Sequence, residues 1–287
     1  MKKTWLSLLL TFALVLVLAA CGTKNEEKDS GNASDAGKDE KTEEVKTLKV
    51  GASNVPHAEI LEEAKPLLKE KGFDLEIIPF QDYVLPNKAL ESKEIDANYF
   101  QHIPYLELQI KENNYDFVNA GGVHIEPMGV YSKKYKDLSE LPENAHIIIS
   151  NSVADHGRVL AILEAEGLLK LKEGVDKSAA TIEDIVENPK NVQFDTDYEP
   201  SLLPQIFNNN EGDAVVINSN FAIDAGLNPL EDSIAIEGSE SPYVNIITVR
   251  NGDENTDAIK ALLEVLHSED IKNFILEKYE GAVVPAF

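Results

Sequence analysis

The sequence of 287 residues is nearly devoid of cysteine, with Cys21 as its only one. A single thiol excludes an intramolecular disulfide and any zinc or iron–sulfur site that needs several cysteines. Positive charge is also scarce, because 26 Lys and Arg residues stand against 51 Asp and Glu residues, for a formal net charge of −25. That balance argues against nucleic-acid binding, which requires basic side chains to displace counterions from phosphates.

One long apolar run is present, from Leu8 to Leu18, and it follows two lysines near the N-terminus. Its apolar part is too short for a comfortable membrane span and is typical of a secretory signal. The closing order Leu-Ala-Ala-Cys resembles a bacterial lipobox, in which Cys21 is lipidated and becomes the first mature residue. The alternative is an ordinary signal with a chance cysteine at the cut. We expect a signal peptide over residues 1–20 and a lipid anchor at Cys21, on the outer face of the cytoplasmic membrane.

The segment 21–47 has the composition of a tether. Residues 22–47 contain five lysines and eight acidic residues, and Val45 is their only sizeable apolar side chain. Such a stretch cannot bury enough surface to offset the entropy of ordering it, so we predict a disordered acidic leash.

Beyond Leu48, strand-like and helix-like periods alternate. A strand is predicted over 48–53, a helix from 60 to 72, a strand over 95–99, a buried strand over 146–150 and a helix over 158–166. This alternation predicts an α/β fold with mostly parallel sheets, and the length suggests two lobes. Ligands of such sheets lie beyond the carboxyl ends of the strands.

Arginine is rare, because 24 of the 26 basic residues are lysines and only Arg158 and Arg250 remain. We predict Arg158 in the first turn of a helix that follows a buried strand. A guanidinium beside a helix N-terminus suits an anion, although a structural ion pair is equally consistent with the composition. Arg250 is expected to be structural.

Aromatic side chains gather at the ends of predicted strands. Tyr99, Phe100, His102 and Tyr105 crowd one strand-to-helix junction, and Tyr83 follows an earlier strand. Clustered aromatics usually build core, but this placement favours the wall of a pocket.

Longer motifs carry a family resemblance over essentially the whole body of the chain. The motifs are F-Q-D-Y-V-L-P-N at 80–87, D-A-N-Y-F-Q-H-I-P-Y-L at 96–106, H-I-E-P-M-G-V-Y-S at 124–132, E-N-P-K-N at 187–191, A-V-V-I-N at 214–218, S-P-Y-V-N-I-I at 241–247 and G-A-V at 281–283. In these motifs the chain resembles the NlpA-type methionine-binding lipoproteins, which deliver methionine to an ABC importer.

The resemblance implies a two-lobed α/β fold of the periplasmic-binding-protein kind (type II), with the ligand in the interlobe cleft. Lobe 1 would comprise residues 48–128 and 242–287, and lobe 2 residues 129–241. The partners implied are methionine, a membrane permease with a separate ATPase, and the membrane itself through the lipid anchor. The resemblance leaves open L or D stereochemistry and binding of analogues, and it implies a Gram-positive source, no cofactor and no catalysis.

Carried over by position, the resemblance assigns Arg158 to the ligand α-carboxylate, with Asn218 and Asn245 as amide partners of the polar head. Glu126 could hold the ligand ammonium or be a hinge residue paired with a lysine. The side chains that would enclose the thioether are Tyr83, Phe100, His102 and Tyr105.

One motif departs from the family pattern. Many members have N-D-P-T-N-x-G-R, where this chain has S-N-S-V-A-D-H-G-R at 150–158 and retains Asn151 and Arg158. We include Asn151 among the candidate ligand contacts. The acidic Asp155 and the titratable His156 leave the contacts of the head group open.

Other classes of protein find less support. A receptor for another small amino acid, a dipeptide or a metal ion is the alternative function. The histidines at 57, 102, 124 and 156 lack the H-x-x-x-H spacing of a metal site, so we predict no metal. A hydrolase is disfavoured because the sequence contains no G-x-S-x-G elbow.

Overall fold

The computed structural model describes residues 45–238 and 241–287. The predicted signal peptide, Cys21 and nearly all of the predicted tether lie outside these residues. The first strand begins at Lys46, so it includes the last two residues of the predicted tether. Within the described part of the chain, no helix combines the length and apolar character that crossing a bilayer requires.

Strands and helices alternate along the described residues. The strands are β1 (Lys46–Ser53), β2 (Phe73–Phe80), β3 (Ala97–His102), β4 (Phe117–Ile125), β5 (Gly129–Tyr131), β6 (His146–Ser150), β7 (Lys170–Leu171), β8 (Ile185–Glu187), β9 (Gln193–Tyr198), β10 (Ala214–Ile217), β11 (Ala235–Ile236), β12 (Val244–Arg250) and β13 (Val284–Pro285). The helices are α1 (Glu59–Glu70), α2 (Leu85–Glu91), α3 (Ile103–Asn113), α4 (Val153–Ala165), α5 (Leu203–Asn208), α6 (Ser219–Asp224), α7 (Pro229–Asp232), α8 (Asp257–Leu266) and α9 (Glu269–Tyr279).

Six strands form the first sheet, in the order β13-β4-β12-β3-β1-β2. β1 runs parallel to β2 and β3, whereas β12 runs antiparallel to β3 and β4. Helix α1 packs one face against this sheet. The buried residues of that face, at helical spacing, are Ile60, Leu61, Ala64 and Leu68. Apolar residues of α8 and α9 complete the same core.

Five strands form the second sheet, in the order β11-β5-β10-β6-β9. The apolar run of β6 is buried between parallel neighbours β9 and β10, and Leu160 and Leu163 of α4 pack in the same core. A strand buried on both faces explains why Ile147, Ile148 and Ile149 stand in succession.

The prediction of mostly parallel sheets is wrong, because five of the nine strand pairings in these two sheets are antiparallel. The cause is the path of the chain. β4 leads out of the first sheet toward β5, and β12 returns from the second sheet, so the two lie side by side in opposite directions. The first sheet uses residues 46–125 and 244–285, and the second uses residues 129–236. The lobe boundaries at 128 and 241 stay a prediction.

Two element boundaries near the strand ends differ from expectation. β3 continues to His102, three residues past the predicted end, so Phe100 and His102 belong to a strand. α4 begins at Val153, which places Arg158 in the second turn and Asp155 in the first. The side chain of Val153 is exposed, and this hid the start of the helix from an argument based on apolar spacing.

Candidate functional site

A pocket lies between the two sheets, where β3, β4 and β10 end. The empty space between its lining residues, including the part that is open to solvent, is ≈ 410 Å³. Eight of the nine predicted ligand-contact residues line it, and their role in binding stays a prediction. The lining residues are Tyr83, Phe100, Gln101, His102, Tyr105, Glu126, Asp155, Arg158, Asn218, Ser219, Asn220 and Asn245.

Three aromatic rings form one wall of the pocket. The ring centroids of Tyr83, Phe100 and Tyr105 lie 6.0 Å from one another. The Tyr105 hydroxyl donates to the backbone oxygen of Tyr83 at 2.9 Å, which fixes the loop between β2 and α2 onto α3. A thioether or another apolar group gains dispersion and sulfur–aromatic contacts against such a wall.

A hydrogen bond of Tyr83 crosses the cleft. Its hydroxyl, on the side of the first sheet, donates to Oδ1 of Asn220 in α6 at 2.6 Å. The ring of Phe221 lies 4.9 Å from that of Tyr83. Burial raises the pKa of Tyr83 well above its ordinary value, so the hydroxyl keeps the proton that it donates.

A second crossing joins His102 to Asp155. His102 caps α3, and its Nδ1 accepts the backbone N–H of Tyr105 at 3.2 Å. In the neutral ring the proton therefore sits on Nε2, which faces Oδ1 of Asp155 in α4 at 3.4 Å. The cap thus selects the tautomer that can bridge the two sides of the cleft.

Asp155 is buried and is held by several polar groups. Ser150 and Asn218 donate to its Oδ2, each at 3.3 Å. Burial acts to raise the pKa of Asp155, but the hydrogen bond from His102, together with Arg158 and Asn218, holds that pKa below its usual value. The pocket therefore carries a carboxylate on the α4 side.

The guanidinium of Arg158 is largely engaged by protein groups. Its Nε and Nη2 donate to Oε2 of Glu237 at 2.9 and 2.5 Å, and Nη2 also donates to the backbone oxygen of Glu126 at 2.6 Å. The ring of Tyr243 lies 4.6 Å from the guanidinium carbon. Among the described residues, Nη1 has no hydrogen-bond partner. Of the two alternatives from the sequence, the structural ion pair is present. Arg158 also lines the pocket, and its contact with an anionic ligand group stays a prediction.

Glu126 is paired with two histidines, so the expected alternative of a lysine partner is wrong. Nε2 of His124 lies 2.7 Å from its Oε1, and Nε2 of His57 lies 3.3 Å from the same oxygen. The sequence argument treated these histidines as scattered, but the fold brings them together because His57 follows β1 while His124 ends β4. Within the part of the chain that the structure describes, the trio is the one group with the composition of a metal site.

Three predicted or discussed residues lie away from the pocket. Asn151 is exposed and donates to Glu199 at 3.1 Å, on a neighbouring surface depression. The ring nitrogen Nε2 of His156 lies 2.9 Å from the backbone oxygen of Ser150. Arg250 donates to the backbone oxygens of Leu90, in the last turn of α2, and Ile95, before β3, which confirms its structural role.

Sequence reasoning missed two side chains that shape the site. Asn220 lies three residues beyond the end of β10, and the rule of strand ends could have found it. Glu237 follows the two-residue strand β11 and is separated from Arg158 by 79 positions, so no local pattern marks it.

Two α/β lobes with a polar and aromatic pocket between them define the class of two-lobed substrate-binding proteins, of the type II periplasmic kind. Comparison with known proteins agrees with that class. The chain belongs to the NlpA lipoprotein family, whose model matches residues 48–287.

Individual relatives are similar over long stretches. The methionine-binding lipoprotein MetQ of Bacillus subtilis strain 168 is 52% identical over 288 residues, covering 99% of each chain. A solved structure of a pheromone cOB1 precursor/lipoprotein from Enterococcus faecalis V583 has 55% identity and a TM-score of 0.82, covering 84% of this chain and 100% of that one. A nutrient-binding protein from Burkholderia cenocepacia, solved bound to methionine, has 40% identity and a TM-score of 0.79 with the same coverage.

Proposed function

We propose that this chain is a non-catalytic, lipid-anchored receptor that captures methionine outside the cell and delivers it to an ABC importer. The names of the relatives support the cargo, since both a Bacillus relative and a methionine-bound neighbour are described as binding proteins. The lipid anchor would be at Cys21, and the two remaining partners would be a permease and its ATPase. The Bacillus relative supports a Gram-positive source.

One observation carries the choice of ligand: the pocket joins an aromatic wall to a charged set of head-group partners. Asp155 and Glu126 supply two buried carboxylates, and Arg158 supplies one guanidinium that already faces Glu237. This excess of negative charge favours a ligand with an ammonium group. The side-chain amides of Asn218 and Asn245 can donate hydrogen bonds to a ligand carboxylate. The aromatic wall then suits an apolar side chain.

The contacts follow from this division. Nη1 of Arg158, with Asn218 and Asn245, would bind the α-carboxylate, and Glu126 would bind the α-ammonium. The thioether would lie against the rings of Tyr83, Phe100 and Tyr105. His102 and Tyr83 would also join the lobes, with residues 129–241 moving as lobe 2 against the remainder.

A thermal-unfolding screen of the full-length protein in detergent tests the function. The protein is first stripped of copurified ligand by unfolding and refolding, then heated with each amino acid and with several divalent metals. A ligand that binds only the native state stabilises it by about 2.7 kcal/mol at a hundredfold excess over Kd. We expect a shift with methionine and its analogues. A shift with another amino acid alone would overturn the cargo.

A metal receptor is the second candidate, and the trio of His57, His124 and Glu126 is the observation in its favour. Its ligand atoms lie within 4.8 Å of one another. The present hydrogen bonds oppose this function, because each Nε2 that would bind a metal instead faces the carboxylate as a donor. Stabilisation by metal but not by methionine, abolished by a chelator, would favour the metal receptor.

A further inference from the structure

Behind the pocket, five buried side chains form a continuous hydrogen-bonded group that ligand contact alone does not explain. Its members come from β3, β4, β12 and the turn after β1, and none is more than 6% exposed. The members are His57, Tyr99, His124, Glu126 and Asn245. Only Glu126 and Asn245 line the pocket, so the other three act from behind it.

The direction of the hydrogen bonds follows from Tyr99. Burial raises the pKa of Tyr99 well above its ordinary value, so its hydroxyl is a donor and Nδ1 of His124 accepts from it. The proton of the neutral imidazole then sits on Nε2, which donates to Oε1 of Glu126 at 2.7 Å. The chain of bonds thus ends on the carboxylate.

His57 supports two pocket residues with one N–H group. Its Nε2 lies 3.0 Å from Oδ1 of Asn245 and 3.3 Å from Oε1 of Glu126. Both neighbours are acceptors, so the proton of the neutral ring sits on this nitrogen. With Oδ1 held by His57, the amide nitrogen of Asn245 is left to face the pocket.

Both rings remain neutral donors under ordinary conditions. Burial lowers the pKa of His124 to about 3 and that of His57 to about 4. Burial also raises the pKa of Glu126, while the neighbouring His57 and Arg158 oppose that rise. Two neutral donors orient a carboxylate without cancelling its charge, which leaves the charge for a cationic group in the pocket.

We propose that His57 and His124 are positioning residues that aim the Glu126 carboxylate at the α-ammonium of the bound amino acid. The inference rests on the proposed function, because it needs an amino-acid ligand. A metal at the same place would require both Nε2 atoms to lose the protons that they now donate. The orientation of the rings therefore favours a support for Glu126 over a metal site.

The test compares two ligands on the full-length protein in detergent: methionine, and the analogue in which hydrogen replaces the α-amino group, 4-(methylthio)butanoate. Calorimetry gives the ratio of the two affinities. In the wild type we expect a ratio of roughly 10-fold to 100-fold, the size of one charge-assisted hydrogen bond. His124→Phe and His57→Leu should each reduce this ratio several-fold. His124→Phe should leave the affinity for the analogue unchanged, whereas His57→Leu should also weaken the analogue, because His57 holds the amide of Asn245 that faces the carboxylate.

Two further variants separate positioning from general damage. His124→Gln retains an N–H donor and should restore most of the ratio if the phenylalanine variant folds poorly. His267→Gln is the matched control, because His267 also bonds to β4, at the backbone oxygen of Gly122, but outside the pocket. In Glu126→Gln the ratio should collapse, and adding His124→Phe to it should change the ratio no further.

Several outcomes would overturn the inference. They are an unchanged ratio in both histidine variants, an equal loss for both ligands in His124→Phe, additive effects of Glu126→Gln and His124→Phe, or methionine binding that a chelator abolishes. A wild type that binds both ligands equally also overturns it but leaves the proposed function intact. A wild type that binds neither ligand removes the proposed function itself.

Discussion

Arg158 allows a test that separates ligand binding from folding. From the sequence, Arg158→Ala is expected to abolish binding and to leave the fold intact. Because Arg158 pairs with Glu237, we instead expect the substitution to lower the stability of the fold as well. The side chains of Arg158 and Glu237 are only 5% and 11% exposed. Removing one member of a buried ion pair typically costs about 3–5 kcal/mol of stability, because the other charge stays buried without a partner.

A double-mutant cycle with Arg158→Met and Glu237→Gln makes the distinction. Arg158→Met should lower the free energy of unfolding by about 3–5 kcal/mol and weaken methionine by roughly 10-fold or more, the value of a charged hydrogen bond from Nη1. Glu237→Gln should keep most of the affinity, since Nη1 is not the nitrogen that Glu237 engages. The double variant should regain much of the stability and none of the affinity.

Urea unfolding and calorimetric titration measure the two quantities on the same preparations. Arg250→Met is the control, because Arg250 donates to the backbone oxygens of Leu90 in α2 and Ile95 before β3, away from the pocket. It should cost stability without changing the affinity for methionine. If the double variant binds methionine as tightly as the wild type, Arg158 does not contact the ligand and its role is confined to the ion pair.

Three further predictions follow from the walls of the pocket and from the buried histidines. Tyr105→Ala should weaken methionine far more than alanine, because it removes a ring of the aromatic wall; equal losses, measured by calorimetry, would argue against a contact with the ligand side chain. His102→Asn retains a cap for α3 but cannot reach Asp155 across the cleft. It should therefore raise the dissociation rate of methionine in stopped-flow measurements, with little change in melting temperature. An unchanged rate would show that the contact between His102 and Asp155 does not help to hold the lobes around the ligand. Burial lowers the pKa of His57 to about 4 and that of His124 to about 3 from 6.5, so their contribution to stability is complete above pH 6.5 and is lost as the pH falls. Between pH 6.5 and its own lowered pKa, each histidine should cost about 1.4 kcal/mol of stability per pH unit, offset in part by the raised pKa of Glu126, and His124→Phe should flatten the profile measured by urea unfolding. A slope that His124→Phe leaves unchanged would contradict this assignment.

Periodicity predicted the elements that local sequence specifies. Apolar spacing alone predicts the helix α1 and the buried strand β6, and the crowding of aromatic side chains at a strand end predicts that Phe100 and His102 lie near a pocket. These features depend on residues that are neighbours in the chain, so a single sequence contains the information. The position of Asn218 at the pocket is implied by the family resemblance.

Pairing between distant residues could not be predicted in the same way. Neither the partner of Arg158 nor the gathering of His57 with His124 leaves a local signal, because each depends on which strands lie side by side. The antiparallel placement of β12 against β4 is of the same kind. The periodicity of apolar residues predicts which face of a helix or strand is buried, but it does not predict which other element packs against that face.

The two antiparallel strands that link the sheets have a mechanical consequence for recognition. Glu126 directly follows β4, and Asn245 is the second residue of β12, so both pocket residues sit where the chain passes between the sheets. A rotation of one lobe against the other would bend the chain at these same positions. The two residues proposed to bind the ligand head group therefore also belong to the two segments of backbone that join the sheets, so a change in the angle between the lobes would change the geometry of the proposed binding groups.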